Sequence, residues 1–216
     1  MKIIRPFTGT GAVFFPVGLP PTGTCEFASP ACLKYCYTHE NSADGDYSDY
    51  DDEIRISVDE KKEIYSRFMT TPVVELCDEI ERLLDGLQTH LLHWFGSGDC
   101  TERDWPHIQA VVDEMRTRSG VVQMGFTRNL KFWEANKDIL ALTIEDEGEA
   151  QDPTAIYSVP DYDEQTSKMY SPKYQVRGGY CGPIICRDVS RKYNVLDHYI
   201  NCKNCHRRKL GCFDRR

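Results

Sequence analysis

Apolar residues recur along this chain with two different periods, and the alternation between them predicts its elements. The run AVFFPV at 12–17 is β-branched and aromatic and ends in Gly/Pro turn residues, which predicts a buried strand. From 72 to 87, Val73, Leu76, Cys77, Ile80, Leu83, Leu84 and Leu87 fall three or four apart, the single apolar stripe of an amphipathic helix. Pro72 suits its first turn, and Gly86 comes near its end. HLLHWF (90–95) predicts a second strand. Thr101, with Asp104 three residues later, predicts a capping box opening a helix with Trp105, Ile108, Val111, Val112 and Met115 inward. VVQMGF (121–126) predicts a third strand, NLKFWEAN (129–136) a short helix, ILALTIE (139–145) a fourth strand and AIYSV (155–159) a fifth.

Strands alternating with amphipathic helices predict β/α units and a parallel sheet. A closed eight-fold barrel takes ~250 residues. Once the acidic stretch ENSADGDYSDYDDE (40–53) and the cysteine-rich tail are set aside, too little chain is left for eight units. The expected fold is therefore α/β, a partial, open barrel of about four to six units. It would occupy residues 1–175, with 176–216 as a small cysteine-rich, metal-binding extension.

Composition narrows the class. The chain has 216 residues, 40% hydrophobic and 28% charged, as in an ordinary globular domain. A net charge of -8 argues against a general nucleic-acid or anionic-membrane binder, which needs a positive field. No apolar run is long enough to span a bilayer. The N-terminal MKIIRPFTGTGAVFFPV is broken by Pro6, Gly9 and Gly11, so no signal peptide is expected and the cytoplasm is the expected compartment. In a reducing compartment ten cysteines are metal ligands or core residues before they are disulfides.

Two clusters hold most of them. In TCEFASPACLKYCYTHEN (24–41), Cys25, Cys32 and Cys36 lie within twelve positions, followed by His39. Three such thiolates can hold an iron–sulfur cluster with one iron left open; with His39 they make an ordinary four-ligand zinc site. The loop follows the first strand, and Gly96-Ser97-Gly98-Asp99 follows the second. Chemistry in parallel β/α architectures gathers at such carboxyl ends. Glycines there admit a ligand close to the backbone, and a carboxylate beside them can hold an ammonium group. Thr127 and Arg128 after the third strand, and Glu145 at the end of the fourth, sit where cofactor ribose or substrate would lie.

In the tail, Cys202-x2-Cys205 has knuckle spacing, Cys212 follows, and Cys186 is the expected fourth thiolate, with Cys181 and His206 as competitors. Such a site holds a second [4Fe–4S] cluster or structural zinc. Arg207, Arg208, Lys209, Arg215 and Arg216 read as a solvated face. Cys77, on the helix stripe, reads as a core residue, and Cys100 as a helix-entry residue. His90 and His93, three apart in a strand, point to opposite faces and make no ligand pair. Asp44, Asp46 and Asp49 approach calcium-loop spacing, with the turn glycine misplaced.

A three-cysteine loop after the first strand and a glycine-rich, acidic stretch after the second resemble radical S-adenosylmethionine (SAM) enzymes. More closely, TCEFASPACLKYCYT, HWFGSGD, MGFTRNLKFWE and the tail CKNCHRRKLGCF resemble a radical-SAM-like family of phage and mobile-element proteins, in scattered blocks over most of the chain. The resemblance implies that Cys25, Cys32 and Cys36 ligate three irons of a [4Fe–4S] cluster, and that SAM binds the fourth iron. It implies that Tyr35 packs on the adenine side and that Gly96, Ser97, Gly98 and Asp99 cradle the methionyl amine. The intervals between the cysteines, six and then three residues, depart from the usual three and then two; Cys32, Cys36 and His39 would restore that spacing. An electron from the cluster would break a C–S bond of SAM and make a 5′-deoxyadenosyl radical, with a flavodoxin or ferredoxin as reductant. The alternatives are a non-catalytic iron–sulfur protein for electron transfer or redox sensing on the same scaffold, and a zinc-stabilised binding module. No residue pattern names a substrate.

Overall fold

The computed structural model describes residues 2–7, 9–28, 33, 56–144, 156–163 and 168–176, with the strands beyond Leu140 given by their backbone. Seven strands are joined in chain order: β1 (Arg5–Phe7), β2 (Thr10–Phe14), β3 (Leu91–Ser97), β4 (Val122–Thr127), β5 (Leu140–Ile144), β6 (Ile156–Asp163) and β7 (Lys168–Val176). Pairing is parallel from β2 through β6 and antiparallel at both edges, β1 with β2 and β6 with β7. Strands that succeed one another in sequence are thus neighbours in space. Parallel neighbours need a crossover, and helices supply three of them.

The helices are α1 (Val58–Thr70), α2 (Val73–Gly86), α3 (Trp105–Thr117) and α4 (Leu130–Ala135). The predicted stripe of α2 is buried at Leu76, Cys77, Ile80, Leu83 and Leu84, so Cys77 is a core residue. Helix α1 was not predicted, although its signal is present: Ser57 accepts a hydrogen bond from the Glu60 amide, and Ile64 and Phe68, four apart, are buried. The capping box at Thr101 is half formed. The Thr101 hydroxyl accepts from the Asp104 amide at 3.1 Å, but the helix starts only at Trp105. The Asp104 carboxylate turns away, accepting the Tyr65 hydroxyl (2.7 Å) and the Arg103 guanidinium (2.9 Å).

Three expected boundaries move. β2 begins at Thr10 and ends at Phe14, so Phe15, Pro16 and Val17 already belong to the loop. β3 runs on to Ser97, so the glycine-rich stretch begins inside the strand. β6 extends to Asp163 because β7, absent from the prediction, pairs with it.

The main core lies on one face of the sheet. Val13, Phe15, Leu92, Trp94 and Phe95 pack there with Phe68, with the α2 and α3 stripes, and with Phe132 and Trp133 of α4. Trp94 donates its indole N–H to Gln123 at 2.9 Å, which satisfies the one polar atom of that buried ring. Phe7, Ala12 and Phe14 face the other way and form a second cluster with Ile56 and Ile64.

Among the described residues, no helix is long and apolar enough to cross a membrane.

Candidate functional site

Two adjacent strand ends meet at one rim. The chain leaves β2 through Phe15 and Pro16 into the loop that carries Cys25, and it leaves β3 through Gly98 and Asp99. The ends are sewn together by short polar contacts. The Phe15 amide donates to the Ser97 carbonyl (2.9 Å), and the Ser97 hydroxyl returns a bond to the Phe15 carbonyl (2.8 Å). Thr24, 2% exposed, is the hub: its hydroxyl donates to the Pro16 carbonyl (3.0 Å) and accepts the Asp99 amide (3.1 Å). On the other side of Cys25, the Glu26 carboxylate accepts the Glu102 amide at 2.8 Å. The Cys25 amide itself donates to the Gly18 carbonyl at 2.8 Å. Cys25 is half-buried and is held from both neighbours against the loop that follows β3.

The register of β3 makes this possible. Ala12 faces His93, yet two residues later Phe14 already faces Ser97. The surplus is absorbed at Phe95, whose φ of 58° is left-handed for a non-glycine residue. That bulge places Trp94 and Phe95 in the same core and turns Gly96 toward Phe14. A Cβ at Gly96 would lie 2.8 Å from the Phe14 ring. At Gly98, φ is +75° and a Cβ would meet the Thr24 hydroxyl at 2.5 Å, so both backbone conformation and space require glycine.

Asp99 closes the rim. One oxygen, Oδ1, accepts the Cys100 amide (2.7 Å) and the Thr127 hydroxyl (2.6 Å); the other, Oδ2, accepts the Arg128 amide (2.8 Å). Burial pushes its carboxyl up to about 6, against the opposing pull of those three donors. A carboxylate has room for about four donors, so Oδ2 retains capacity for one more. The Thr127 hydroxyl also accepts the Asn129 amide (3.0 Å), and the Asn129 side chain donates to the Cys100 carbonyl (3.0 Å) while capping α4. The ends of β3 and β4 are thereby locked together.

The expected site residues divide accordingly. Cys25, Gly96, Ser97, Gly98, Asp99 and Thr127 come together at the rim, with Thr127 serving Asp99 from within the chain. Cys100 is buried, its thiol directed at the Thr101 carbonyl. Tyr35, Glu145, Cys32, Cys36, His39, Cys181, Cys186, Cys202, Cys205 and Cys212 lie outside the described residues, as do the acidic stretch at 40–53 and the basic tail. Among the described residues, no three His, Cys, Asp or Glu side chains converge as metal ligands. The sequence pointed to Asp99 but missed Thr24 and Glu26, the residues that hold Cys25 in place. Their signal was only their position flanking a cysteine.

Comparison with curated proteins and with solved structures finds no match. The rim itself, residues 15–28 and 96–129, falls inside the stretch 6–177 that matches the family model described as Gene product 88. The chain belongs to that family, whose gene-product name agrees with the phage and mobile-element resemblance of its motifs.

Proposed function

We propose that this protein is an iron–sulfur protein resembling radical SAM enzymes, built on a partial, open β/α barrel. Cys25, Cys32 and Cys36 hold an N-terminal [4Fe–4S] cluster. SAM occupies the open iron, and Cys186, Cys202, Cys205 and Cys212 hold a second cluster or zinc in the tail. One observation carries the reading: the loop bearing Cys25 and the Gly-Ser-Gly-Asp rim follow neighbouring parallel strands and are bonded through Thr24 and Asp99. The strand order supports the scaffold, because a barrel also keeps sequence neighbours as spatial neighbours.

Of the proposed ligands only Cys25 is among the described residues, and its surroundings are compatible with such a group. Cys25 is half-buried, and thiolate is the normal cluster ligand. Gly98 lets the β3 exit pack against Thr24 and Phe15, and Asp99 offers one remaining acceptor to an ammonium group. When bound, the cluster supplies the electron for reductive cleavage of a sulfonium, chemistry no side chain provides. The chain's own work is to orient. Thr24 and Glu26 fix Cys25 from either side, and Thr127 and the Arg128 amide fix the Asp99 carboxylate.

Expression and purification without oxygen, followed by iron and sulfide counting, tests the reading. A brown protein with about four irons per N-terminal site is expected, with Cys25→Ala losing that complement. SAM should perturb the spectrum of the reduced cluster and yield 5′-deoxyadenosine. A colourless protein loaded with zinc refutes the proposal. A cluster with no response to SAM reduces it to electron transfer or redox sensing.

A further inference from the structure

Asp104 lies one residue before α3 and binds across to Tyr65 of α1. Its Oδ2 accepts the Tyr65 hydroxyl at 2.7 Å and its Oδ1 accepts the Arg103 guanidinium at 2.9 Å, while Arg103 also donates to the Tyr65 oxygen at 2.7 Å. Burial raises the Asp104 carboxyl, but the bonds from Arg103, Tyr65 and Thr101 outweigh it and hold the group below its ordinary value, as a carboxylate. Burial, and then the same carboxylate, push the half-buried Tyr65 phenol up to about 12, so it keeps its proton. The Tyr65 ring ends a chain of ring contacts that enters the core. Phe15 meets it edge-on at 5.3 Å, Phe68 meets Phe15 at 5.2 Å, and Trp94 meets Phe68 at 6.1 Å. Trp94 is fully buried, and its indole N–H donates to the Gln123 side-chain oxygen, an amide and not a base. Indole and phenol are rings that give up an electron readily. Of these two, the phenol is the one with a base against its proton.

We propose that Tyr65 is a redox-active tyrosine that supplies an electron to an oxidised Trp94 through Phe15 and Phe68, with Asp104 taking its proton. Electron exchange falls steeply with the gap between donor and acceptor, and rings in edge contact divide that gap into short steps. The step balances. One electron passes from the phenol to the indole radical cation, and the phenol proton passes to the carboxylate 2.7 Å away. A neutral indole, a carboxylic acid and a phenoxyl radical result. Without the carboxylate, the electron would leave a charged phenol in a partly buried place, which is disfavoured. Trp94 is oxidised when an oxygen-derived radical takes its electron and becomes an anion. Phe15 connects this chain to the rim, where its carbonyl accepts the Ser97 hydroxyl. That such radicals arise there, at reduced iron, rests on the function proposed above; the transfer from Tyr65 to Trp94 does not.

Flash photolysis of the full chain, with light absorbed by indole and not by phenol, tests the assignment whether or not the rim holds a cluster. In the unaltered protein the indole radical band should decay as a phenoxyl band grows. That growth should slow in heavy water, because a proton moves with the electron. Tyr65→Phe should lose most of the growth and Trp94→Phe part of it. Asp104→Asn, which keeps the tyrosine, should slow the growth about a hundredfold, the low end of what a positioned base contributes. A mere tie between α1 and α3 would shift thermal midpoints in these variants and leave the radical kinetics alone. No phenoxyl growth in the unaltered protein, undiminished growth in Tyr65→Phe or Trp94→Phe, or an unchanged rate in heavy water and in Asp104→Asn overturns the proposal.

Discussion

His93 and Asp99 lie six residues apart on one strand and its exit, both buried, both titratable, and they are treated in opposite ways. Asp99 receives three donors from two segments of chain, and its burial still lifts its carboxyl to about 6. His93 receives none among the described residues, and burial holds its imidazole down to about 4. The difference shows where a parallel sheet can afford polarity. At a strand end, backbone amides of the following loop and helix are unspent and converge on a carboxylate. In mid-strand the backbone groups are consumed by the ladder, so a polar side chain there has only what lies across the face. Asp99 is therefore part of the fold's own bracing, whereas the nitrogens of His93 brace nothing among the described residues.

Removing the Asp99 carboxylate breaks this comparison most severely. Asp99→Ala strands two amides and a hydroxyl in the interior, each costing about 1–3 kcal/mol. The urea midpoint should fall by an amount equivalent to about 4 kcal/mol, with an unchanged m-value. A loss below about 1 kcal/mol would mean that the three donors find water instead.

Acid titration sharpens the contrast, because the two groups pull in opposite directions. The folded pKa of His93, about 4, is below its unfolded value, so its contribution is intact above pH ~6.5 and is lost as pH falls toward 4. That loss is on the order of 3 kcal/mol. The folded pKa of Asp99, about 6, is above its unfolded value, so its contribution is complete below pH ~4 and is lost as pH rises through 6. The two nearly cancel between pH 4 and 6. Relative to the unaltered protein, His93→Leu should gain stability on acidification across this window and Asp99→Asn should lose it. Parallel curves for both variants would contradict the assignment.

Gly98→Ala forces a Cβ against the Thr24 hydroxyl at a left-handed φ, and should cost about 2 kcal/mol through strain of that class. Thr24→Val, nearly the same shape, leaves the Asp99 amide without its acceptor and should cost about 1–2 kcal/mol. Thr24→Ser should recover most of that loss, as read from thermal midpoints. The smallest effect has the opposite sign: His93→Leu should raise stability at neutral pH by about 1 kcal/mol, since it removes from between Phe7 and Phe126 a polar ring that has no hydrogen-bond partner among the described residues. Destabilisation by that variant would show that the imidazole has a partner in the folded chain.

Much of the scaffold was legible in order and kind. The stripe of α2 and the alternation of strands with helices carry a period that survives without any knowledge of neighbours. β1 and β7 escaped because three residues of an edge strand, or a run containing Lys173 and Gln175, acquire strand character only by pairing. Of the rim, glycine and carboxylate were readable as types. The bulge at Phe95, which shifts the register and brings Ser97 beside Phe14, was not, since phenylalanine gives no local hint of a left-handed φ.

By itself, then, the sequence determined strands β2 to β6 and helices α2 to α4 in order and kind, and which residue types stand at the strand exits, because both follow from local period and composition. Only the tertiary structure decided that Thr24 and Glu26 anchor Cys25 beside Asp99, and that His93 is buried with its nitrogens unmet among the described residues. Those facts depend on contacts between residues about 75 positions apart at the rim and on what faces what across the sheet, where burial turns a small polar choice into several kcal/mol.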